Sequence, residues 1–391
     1  MANLKTLDAM FADAVERKAM PGVVAMAATE RGVLYEGGFG KRDLTASAAM
    51  TPDTVVWIAS MTKAVTASAA MQLVERGKLV LDAPAAAVVP EVGAAKVLEG
   101  FDAAGQPRLR APKRAITLRH LLTHTAGYAY EIFSPAIAQF QAATNTPGIT
   151  TCANAALTTP LLFDPGDRWE YGINIDWVGK MVEAVSGQRL DRYLQQNILG
   201  PLGMSDTSFK LSPSQRARLA SVHQRGPDGA LAPIEFEIPQ EPEFFMGGGG
   251  LYSTGPDYLK FCQVFLHEGS FNGARILKPE TVAMMGRNQI GDIKVGLLKT
   301  VQPEASNDAE FFPGMVKKWG LGFMINEEDA PTGRSAGSLA WAGLANTYFW
   351  IDPKRRVTGV ILTQLLPFAD QDVLQLFQRF ESEVYKASRA A

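Results

Sequence analysis

A serine and a lysine stand three positions apart where an alanine-rich segment begins. The four residues are Ser60, Met61, Thr62 and Lys63, and no other lysine of the chain has a serine three positions before it. Residues at this spacing share one face of a helix, so the Lys63 amine can reach the Ser60 hydroxyl. A serine becomes a strong nucleophile when a base takes its proton, and burial can lower the pKa of a lysine enough for that role. The pair predicts a serine nucleophile, although so short a pattern also arises by chance.

A second serine, Ser335, lies in a pentapeptide that matches the nucleophile-elbow motif G-x-S-x-G. The pentapeptide is Gly333–Gly337. An elbow needs a strand before it, a helix after it and a histidine later in the chain. Residues 327–332 predict a loop before this pentapeptide, a strand pattern follows it, and the last histidine is His267. We therefore interpret the pentapeptide as a turn.

Two further stretches suit the same chemistry, and each also has a purely structural interpretation. The stretch Trp169–Asn174 is predicted to begin a helix, and the hydroxyl of Tyr171 within it could pass a proton to a leaving group. Tyr171 could equally be a packed core residue. Residues Ser338–Leu344 predict a strand that ends in small residues. Its backbone could donate an N–H to a developing oxyanion, or it could be an ordinary edge strand.

The elements that must position these residues come from both ends of the chain. Apolar residues recur at helical spacing near the amino terminus, and again from about Gln371, where Asp370 is the expected N-cap. Strand-like runs lie between these helices. The expected strands are Val23–Thr29, Val33–Phe39, Trp319–Asn326, Ser338–Ala342, Thr347–Ile351 and Val357–Thr363. These patterns predict an α/β (α+β) fold with one antiparallel sheet, flanked by helices from both chain ends.

The middle of the chain reads as a largely helical insertion. Before it, the segment Met61–Arg76 is apolar on nearly every side, which is typical of a helix buried between layers, and Gly77 is its expected end. Residues 1–82 and 313–391 are predicted to form the α/β sheet domain, and residues 83–312 a mostly helical domain inserted into it.

Composition and charge argue against several classes of partner. The 391 residues carry a formal net charge of -2 with no basic run, which argues against nucleic-acid binding. Two cysteines and four histidines lack metal-ligand spacing, so we expect no metal and no cofactor. No signal peptide or membrane-spanning stretch is apparent, which predicts a cytoplasmic protein without a membrane partner. A small-molecule ester is the expected partner, and the oligomeric state is left unpredicted.

These elements, in this order, resemble the serine β-lactamase and penicillin-binding-protein superfamily. The sequence is most similar to the family VIII carboxylesterases, bacterial esterases with a class C β-lactamase-like fold, over nearly the whole chain. Supporting stretches are Thr117–Thr125, Pro201–Met204, Gly248–Thr254 and Trp350–Pro353. Other stretches are similar to a fungal acyltransferase that acylates a statin precursor. These are Val97–Asp102, Pro107–Arg110 and Tyr171–Trp177.

The resemblance implies a β-lactamase/transpeptidase-like fold and a role for each matching residue. Ser60 would be the nucleophile, Lys63 its base partner and Tyr171 the second proton-transfer group, with the order of proton transfer left open. The backbone N–H groups of Ser60 and Leu344 would form the oxyanion hole. The residues that would contact substrate are Tyr130, Trp341, Ala342 and Gly343.

Two departures from the β-lactamase pattern favour esters as substrates. β-Lactamases usually have Tyr-x-Asn, whereas Asn174 comes one position late here, and they carry Lys-Thr-Gly where this chain has Trp341–Gly343. An indole in place of that lysine favours uncharged, apolar acyl groups. We therefore predict a serine carboxylesterase that hydrolyses short-chain acyl esters through a Ser60 acyl-enzyme, with weak β-lactamase side activity. The alternatives are an acyltransferase that uses the same acyl-enzyme, a β-lactamase or D-amino peptidase, and a sensor that is acylated once.

Overall fold

Strands from both ends of the chain build one seven-stranded antiparallel sheet in the computed structural model, which describes residues 4–390. In chain order the strands are β1 (Gly22–Thr29), β2 (Gly32–Gly40), β3 (Val56–Trp57), β4 (Val97–Phe101), β5 (Pro107–Arg110), β6 (His223–Arg225), β7 (Leu231–Pro233), β8 (Tyr252–Ser253), β9 (Ser270–Phe271), β10 (Ala274–Arg275), β11 (Lys317–Trp319), β12 (Met324–Asn326), β13 (Leu339–Gly343), β14 (Thr347–Asp352), β15 (Val357–Leu362) and β16 (Leu365–Leu366). The α-helices are α1 (Leu4–Glu16), α2 (Thr62–Glu75), α3 (Leu118–Leu122), α4 (Pro135–Thr144), α5 (Asn174–Ser186), α6 (Leu190–Leu194), α7 (Gly200–Leu202), α8 (Pro213–Arg216), α9 (Gly255–Leu266), α10 (Pro279–Met285) and α11 (Gln371–Ala390).

The sheet has the order β11-β12-β13-β14-β15-β1-β2, so the amino-terminal hairpin pairs with the last long strand. The predicted antiparallel sheet built from both chain ends is therefore confirmed. One expected strand was wrong, because Trp319–Asn326 is not continuous and divides into β11 and β12. Gly322 has φ +99°, a conformation that glycine adopts readily, and the chain reverses there to form a tight hairpin.

Helices cover both faces of the sheet. Along β14, Phe349 packs against Tyr258 of α9, whereas its neighbours Tyr348 and Trp350 pack against α11 on the opposite face. This alternation follows from the two-residue period of a strand, and every residue of β14 is buried because both faces are covered. The terminal helices α1 and α11 also contact each other. Asp370 caps α11, since its Oδ1 accepts from the backbone N–H of Asp372 and Val373.

The predicted buried helix is α2, which is buried along almost its whole length and contacts α5 and α6. It ends at Glu75, and Gly77 follows with φ +66°, as expected of a residue just after a helix end. The middle of the chain contains α3 to α10 and several short strand pairs. Helix α9, although it belongs to this middle part, packs against the sheet. The division into a domain of residues 1–82 and 313–391 and one of residues 83–312 stays a prediction.

Across residues 4–390, no helix combines the length and the apolar character needed to cross a bilayer.

Candidate active site

Ser60 lies in a tight turn of 3₁₀ helix, Ala59–Met61, that runs directly into α2. Ala59 has φ +44°, a conformation that is uncommon for a residue with a side chain and that marks local backbone strain. Neighbouring contacts hold this turn: the Ile58 N–H donates to the Leu251 carbonyl at 3.0 Å, and the Tyr258 hydroxyl donates to the Met61 carbonyl at 2.8 Å. The turn leaves the Ser60 side chain partly exposed at the wall of a cavity.

Lys63 is fully buried in the first turn of α2, and its amine lies 3.0 Å from Ser60 Oγ. It also contacts the Tyr130 hydroxyl at 2.9 Å and the Gly248 carbonyl at 2.6 Å. Burial is the largest influence on this amine and lowers its pKa well below the usual value, towards the neutral range; attraction to the Asp176 carboxylate offsets part of that effect. The predicted proximity of Ser60 and Lys63 on one helix face is therefore present in the structure.

A run of four glycines, 247–250, packs against the same face of α2. Thr66 Oγ1 donates to the Gly247 carbonyl at 2.8 Å, and the Leu251 N–H donates to Thr62 Oγ1 at 3.1 Å. A Cβ atom on Gly248 would lie only 2.6 Å from Asp176 Oδ2, so a larger residue does not fit there. From the sequence, part of this run served only to support the family resemblance, and the structure shows that it supplies a carbonyl to the Lys63 amine.

Tyr171 lies before α5 and not within a helix, so the helix predicted to begin around it starts later, at Asn174. Its hydroxyl accepts from the Trp341 indole N–H at 2.9 Å, and the nearby Ser60 side chain partly offsets the effect of burial on its pKa. Burial raises the pKa of Tyr171, so the phenol keeps its proton at neutral pH. Tyr171 therefore fits both interpretations offered by the sequence. Its ring is packed in the core, and its hydroxyl lies beside Ser60, where it could carry a proton.

Asn174 is the asparagine that comes one position later than in the β-lactamase pattern. Asn174 is fully buried, and its side-chain amide lies 3.0 Å from Nδ1 of the buried His124. The His124 ring packs against Tyr171 with ring centroids 4.9 Å apart. Burial lowers the pKa of His124 well below its usual value, and the nearby Lys63 amine lowers it further. Asn174 and His124 thus support Tyr171 from behind and do not line the cavity.

Strand β13 brings its last three residues, Trp341–Gly343, to the cavity. The strand is not at the sheet edge, because β12 and β14 flank it. However, β12 pairs only with Leu339 and Ala340, so within residues 4–390 the rest of β13 has a sheet neighbour on one side only. A Cβ on Gly343 would lie 2.2 Å from the Ile58 carbonyl, which shows how closely this strand end approaches the Ser60 turn.

The cavity beside Ser60 has a volume of about 90 Å³ and is partly open to solvent. All the residues predicted to touch substrate or the oxyanion line it. They are Ser60, Tyr130, Trp341, Ala342, Gly343 and Leu344, and the predicted proton-transfer residue Tyr171 lines the cavity as well. The other walls are mainly apolar, and among its lining residues Glu131 is the one with an ionisable acid or base at its tip, apart from the tyrosines. Burial raises the pKa of Glu131.

Sequence reasoning assigned Tyr130 to the substrate pocket and missed its contact with Lys63. It also missed Asp176, whose Oδ1 accepts from the Gly248 N–H at 2.8 Å. The sequence did contain a signal for Asp176, which is a charged residue among apolar neighbours in the first turn of a helix. An aspartate is rarely fully buried unless it has a partner.

The competing serine, Ser335, is only 1% exposed, and its hydroxyl accepts from the Arg355 side chain at 3.1 Å. Its surroundings form a turn, in which the Gly333 N–H donates to the Ala330 carbonyl and the Ser338 N–H to the Ser335 carbonyl. The interpretation of Gly333–Gly337 as a turn is confirmed.

Comparison with known proteins places this site in a family. The family model described as Beta-lactamase matches residues 7–381. The chain belongs to the β-lactamase family. This family member is 34% identical to monacolin J acid methylbutanoyltransferase of Aspergillus terreus, over 97% of this chain and 95% of that protein. It is 31% identical to a lovastatin esterase of Penicillium rubens, over 97% and 98% of the two chains.

The fold agrees with this assignment. A mutant of simvastatin synthase from Aspergillus terreus superposes with a TM-score of 0.87 at 32% identity, covering 100% of this chain and 98% of that structure. The expected β-lactamase/transpeptidase-like fold and the expected similarity to statin acyltransferases are therefore confirmed. This β-lactamase-family protein is an enzyme of the serine acyl-enzyme type.

Proposed function

We propose that the protein is a serine acyltransferase that moves an acyl group from an ester to an alcohol through an acyl-enzyme on Ser60. One observation carries the proposal: a buried Lys63 amine lies 3.0 Å from Ser60 Oγ, and Ser60 opens onto an apolar cavity. The naming of a 34% identical, full-length relative as a methylbutanoyltransferase supports transfer over hydrolysis.

The structure supports Lys63, and not Tyr171, as the first base. Burial raises the pKa of Tyr171 and lowers that of Lys63, so near neutral pH the amine loses a proton far more readily than the phenol. A neutral amine has two N–H groups for the Tyr130 hydroxyl and the Gly248 carbonyl, and its lone pair then faces the Ser60 hydroxyl.

Acylation then proceeds by ordinary nucleophilic catalysis. Lys63 takes the Ser60 proton, Oγ bonds to the acyl carbon, and the backbone N–H groups of Ser60 and Leu344 hold the oxyanion. As the ester C–O bond breaks, the leaving alcohol receives a proton from the Tyr171 hydroxyl, which Lys63 reprotonates. The acceptor alcohol repeats these steps in reverse: it loses its proton, attacks the acyl carbon and releases Ser60.

The cavity walls favour an uncharged, apolar acyl group and an apolar acceptor. Trp57, Phe133, Ile149, Leu298 and Phe368 are among its lining residues. Burying apolar substrate surface against such walls stabilises the complex by roughly 25 cal/mol per Å². Such apolar walls offer few hydrogen-bonding groups to water, which favours a bound apolar alcohol over water as the acceptor.

Hydrolysis is the second candidate, and the carboxylesterase predicted from the sequence uses the same acyl-enzyme with water as the acceptor. The observation in its favour is the 31% identical, full-length relative named lovastatin esterase. The two functions therefore differ only in which acceptor reaches the acyl carbon first.

Product analysis separates the two functions. The protein is incubated with p-nitrophenyl butyrate, with and without cyclohexanol as an apolar acceptor, and cyclohexyl butyrate and butyric acid are quantified by chromatography. We expect cyclohexyl butyrate to become the main product, and its yield to rise and saturate with cyclohexanol concentration because the alcohol binds in the cavity. Ser60→Ala is the control for reaction outside this site.

Butyric acid as the sole product at every cyclohexanol concentration would replace the proposal with hydrolysis. Equal release of p-nitrophenol by the protein and by Ser60→Ala would contradict both functions, because neither works without the acyl-enzyme.

A further inference from the structure

Asp176 is a fully buried carboxylate in the first turn of α5, behind the site described above. Its Oδ1 accepts from the Gly248 N–H at 2.8 Å, whereas Oδ2 is buried and has no hydrogen-bond partner within residues 4–390. Leaving a carboxylate oxygen buried and unpaired costs free energy, and structural residues rarely retain such an atom. The arrangement therefore calls for a function that a neutral side chain would not supply.

Gly248 connects Asp176 to the base of the proposed mechanism. Its N–H donates to Asp176, and its carbonyl accepts from the Lys63 amine at 2.6 Å. The absence of a side chain on Gly248 allows this approach, because a Cβ would lie 2.6 Å from Asp176 Oδ2. One glycine is thus held from both sides, by the carboxylate and by the amine.

The other titratable groups that face Lys63 are uncharged near neutral pH. Burial raises the pKa values of Tyr130 and Tyr171, which keeps both phenols protonated. Burial lowers the pKa of His124, which keeps its imidazole neutral. Burial raises the pKa of Asp176 itself to about 6, and attraction to Lys63 and the Gly248 N–H oppose that rise. At neutral pH Asp176 is therefore, among residues 4–390, the group whose negative charge acts on the Lys63 amine.

We propose that Asp176 is a positioning residue that fixes Gly248 against Lys63 and, through its charge, sets the pH range in which Ser60 can be acylated. This inference rests on the proposed acyl-enzyme on Ser60. The carboxylate stabilises the protonated amine, so it delays the loss of the proton that Lys63 must release before it can accept the one from Ser60.

Removal of the Asp176 charge should lower the pKa of the Lys63 amine. Without the negative charge, burial alone acts on the Lys63 amine, and its pKa falls further. The neutral, active amine then persists to lower pH. Replacement of Asp176 by a neutral isostere should therefore move the acid limb of the acylation rate to lower pH, by about one pH unit or more, which is a tenfold change in proton affinity.

The experiment measures the rate at which a fluorophosphonate labels Ser60 across the pH range, with the adduct located by mass spectrometry. In this step the Ser60 Oγ–P bond forms, the P–F bond breaks, fluoride leaves and the proton passes to Lys63. The variants are Asp176→Asn, Asp176→Glu and, as a matched control, Asp292→Asn at an exposed aspartate.

We expect Asp176→Asn to shift the midpoint of the acid limb downward, and Asp176→Glu and Asp292→Asn to leave it in place. Asp176→Glu keeps the charge but displaces Gly248, so it should lower the rate at every pH. A uniform loss of rate in Asp176→Asn with an unchanged midpoint would overturn the inference, because a purely structural role predicts that result. If Asp176→Asn does not fold, Asp176→Glu serves as the test. A downward shift of its acid-limb midpoint would overturn the inference, because this variant keeps the negative charge. Absence of any Ser60 adduct in the unmodified protein would instead contradict the proposed function.

Discussion

Ser60 and Ser335 lie in two regions that each combine a serine motif with a buried cation, yet the regions are built differently. Ser60 opens onto a cavity of about 90 Å³, whereas Ser335 is enclosed in a turn and is 1% exposed. The cation beside Ser60 is Lys63, and the cation beside Ser335 is Arg334, at 2% exposure.

The partners of the two cations explain the difference. Arg334 forms two 2.7 Å hydrogen bonds to the carboxylate of Glu381, which is itself fully buried and also accepts from Thr332. Burial is the largest single influence and opposes the charge on Arg334, but the attraction of Glu381, its hydrogen bonds and the nearby Asp352 and Tyr385 together offset it, and the pKa of Arg334 rises. Lys63 contacts two hydroxyls and a carbonyl, all uncharged, and its pKa falls.

A buried cation in direct contact with a carboxylate keeps its charge and forms a structural ion pair. A buried cation whose nearest partners are neutral can exchange its proton at neutral pH, which is what a base requires. The partners of a neighbouring cation therefore distinguish a reactive serine from an inert one better than the motif around the serine does.

The largest expected effect is on the two serines themselves. Ser60→Ala should lower kcat/KM for p-nitrophenyl butyrate by at least about 10³-fold, because it removes the atom that is acylated. Ser335→Ala, the matched control, should change kcat/KM by less than about twofold, since its hydroxyl only accepts from Arg355. A loss in Ser335→Ala comparable to that in Ser60→Ala would break the comparison.

The next largest effects concern the two buried cations and their partners. Glu381→Gln should lower the free energy of unfolding by about 3–5 kcal/mol, measured by urea denaturation, because Arg334 is left as an uncompensated buried charge. Its kcat/KM per folded molecule should change by less than about twofold.

Lys63→Met should lower kcat/KM by about 10²-fold or more through loss of the base. Full activity in Lys63→Met would show that a titratable buried amine is not what makes Ser60 reactive.

The smallest effect concerns the charge of the cavity wall. Glu131→Gln should raise kcat/KM for nitrocefin, which carries a carboxylate, by about 3- to 10-fold relative to p-nitrophenyl butyrate, because one repulsive charge is removed. The assay is run near pH 8.5, well above the usual range of a glutamate pKa, so that the raised pKa of Glu131 does not leave it neutral. Exposed Glu327→Gln is the matched control. An unchanged ratio of the two rates would remove Glu131 as a determinant of specificity.

Much of the fold was predictable because its signals are local. Alternating and continuous apolar runs gave most of the sheet strands within a few residues, and the apolar circumference of Met61–Arg76 predicted the burial of α2. The prediction failed for the single strand Trp319–Asn326, where two glycines allow a hairpin that a hydrophobic pattern does not register. The helix predicted to begin within Trp169–Asn174 begins only at the last of these residues, because an irregular turn holds Tyr171 against Tyr130 before α5.

The sequence by itself determined the pairing of Ser60 with Lys63, because three positions on one helix turn are a local geometry that no distant contact has to supply. The resemblance carried by its motifs added Tyr171 and the Trp341–Gly343 strand end. Only the tertiary structure placed Gly248, Tyr130 and Asp176 around the Lys63 amine, since these residues come from segments far apart in the chain. The protonation of a buried amine depends on the sum of its surroundings, and that sum exists only once those segments have packed together.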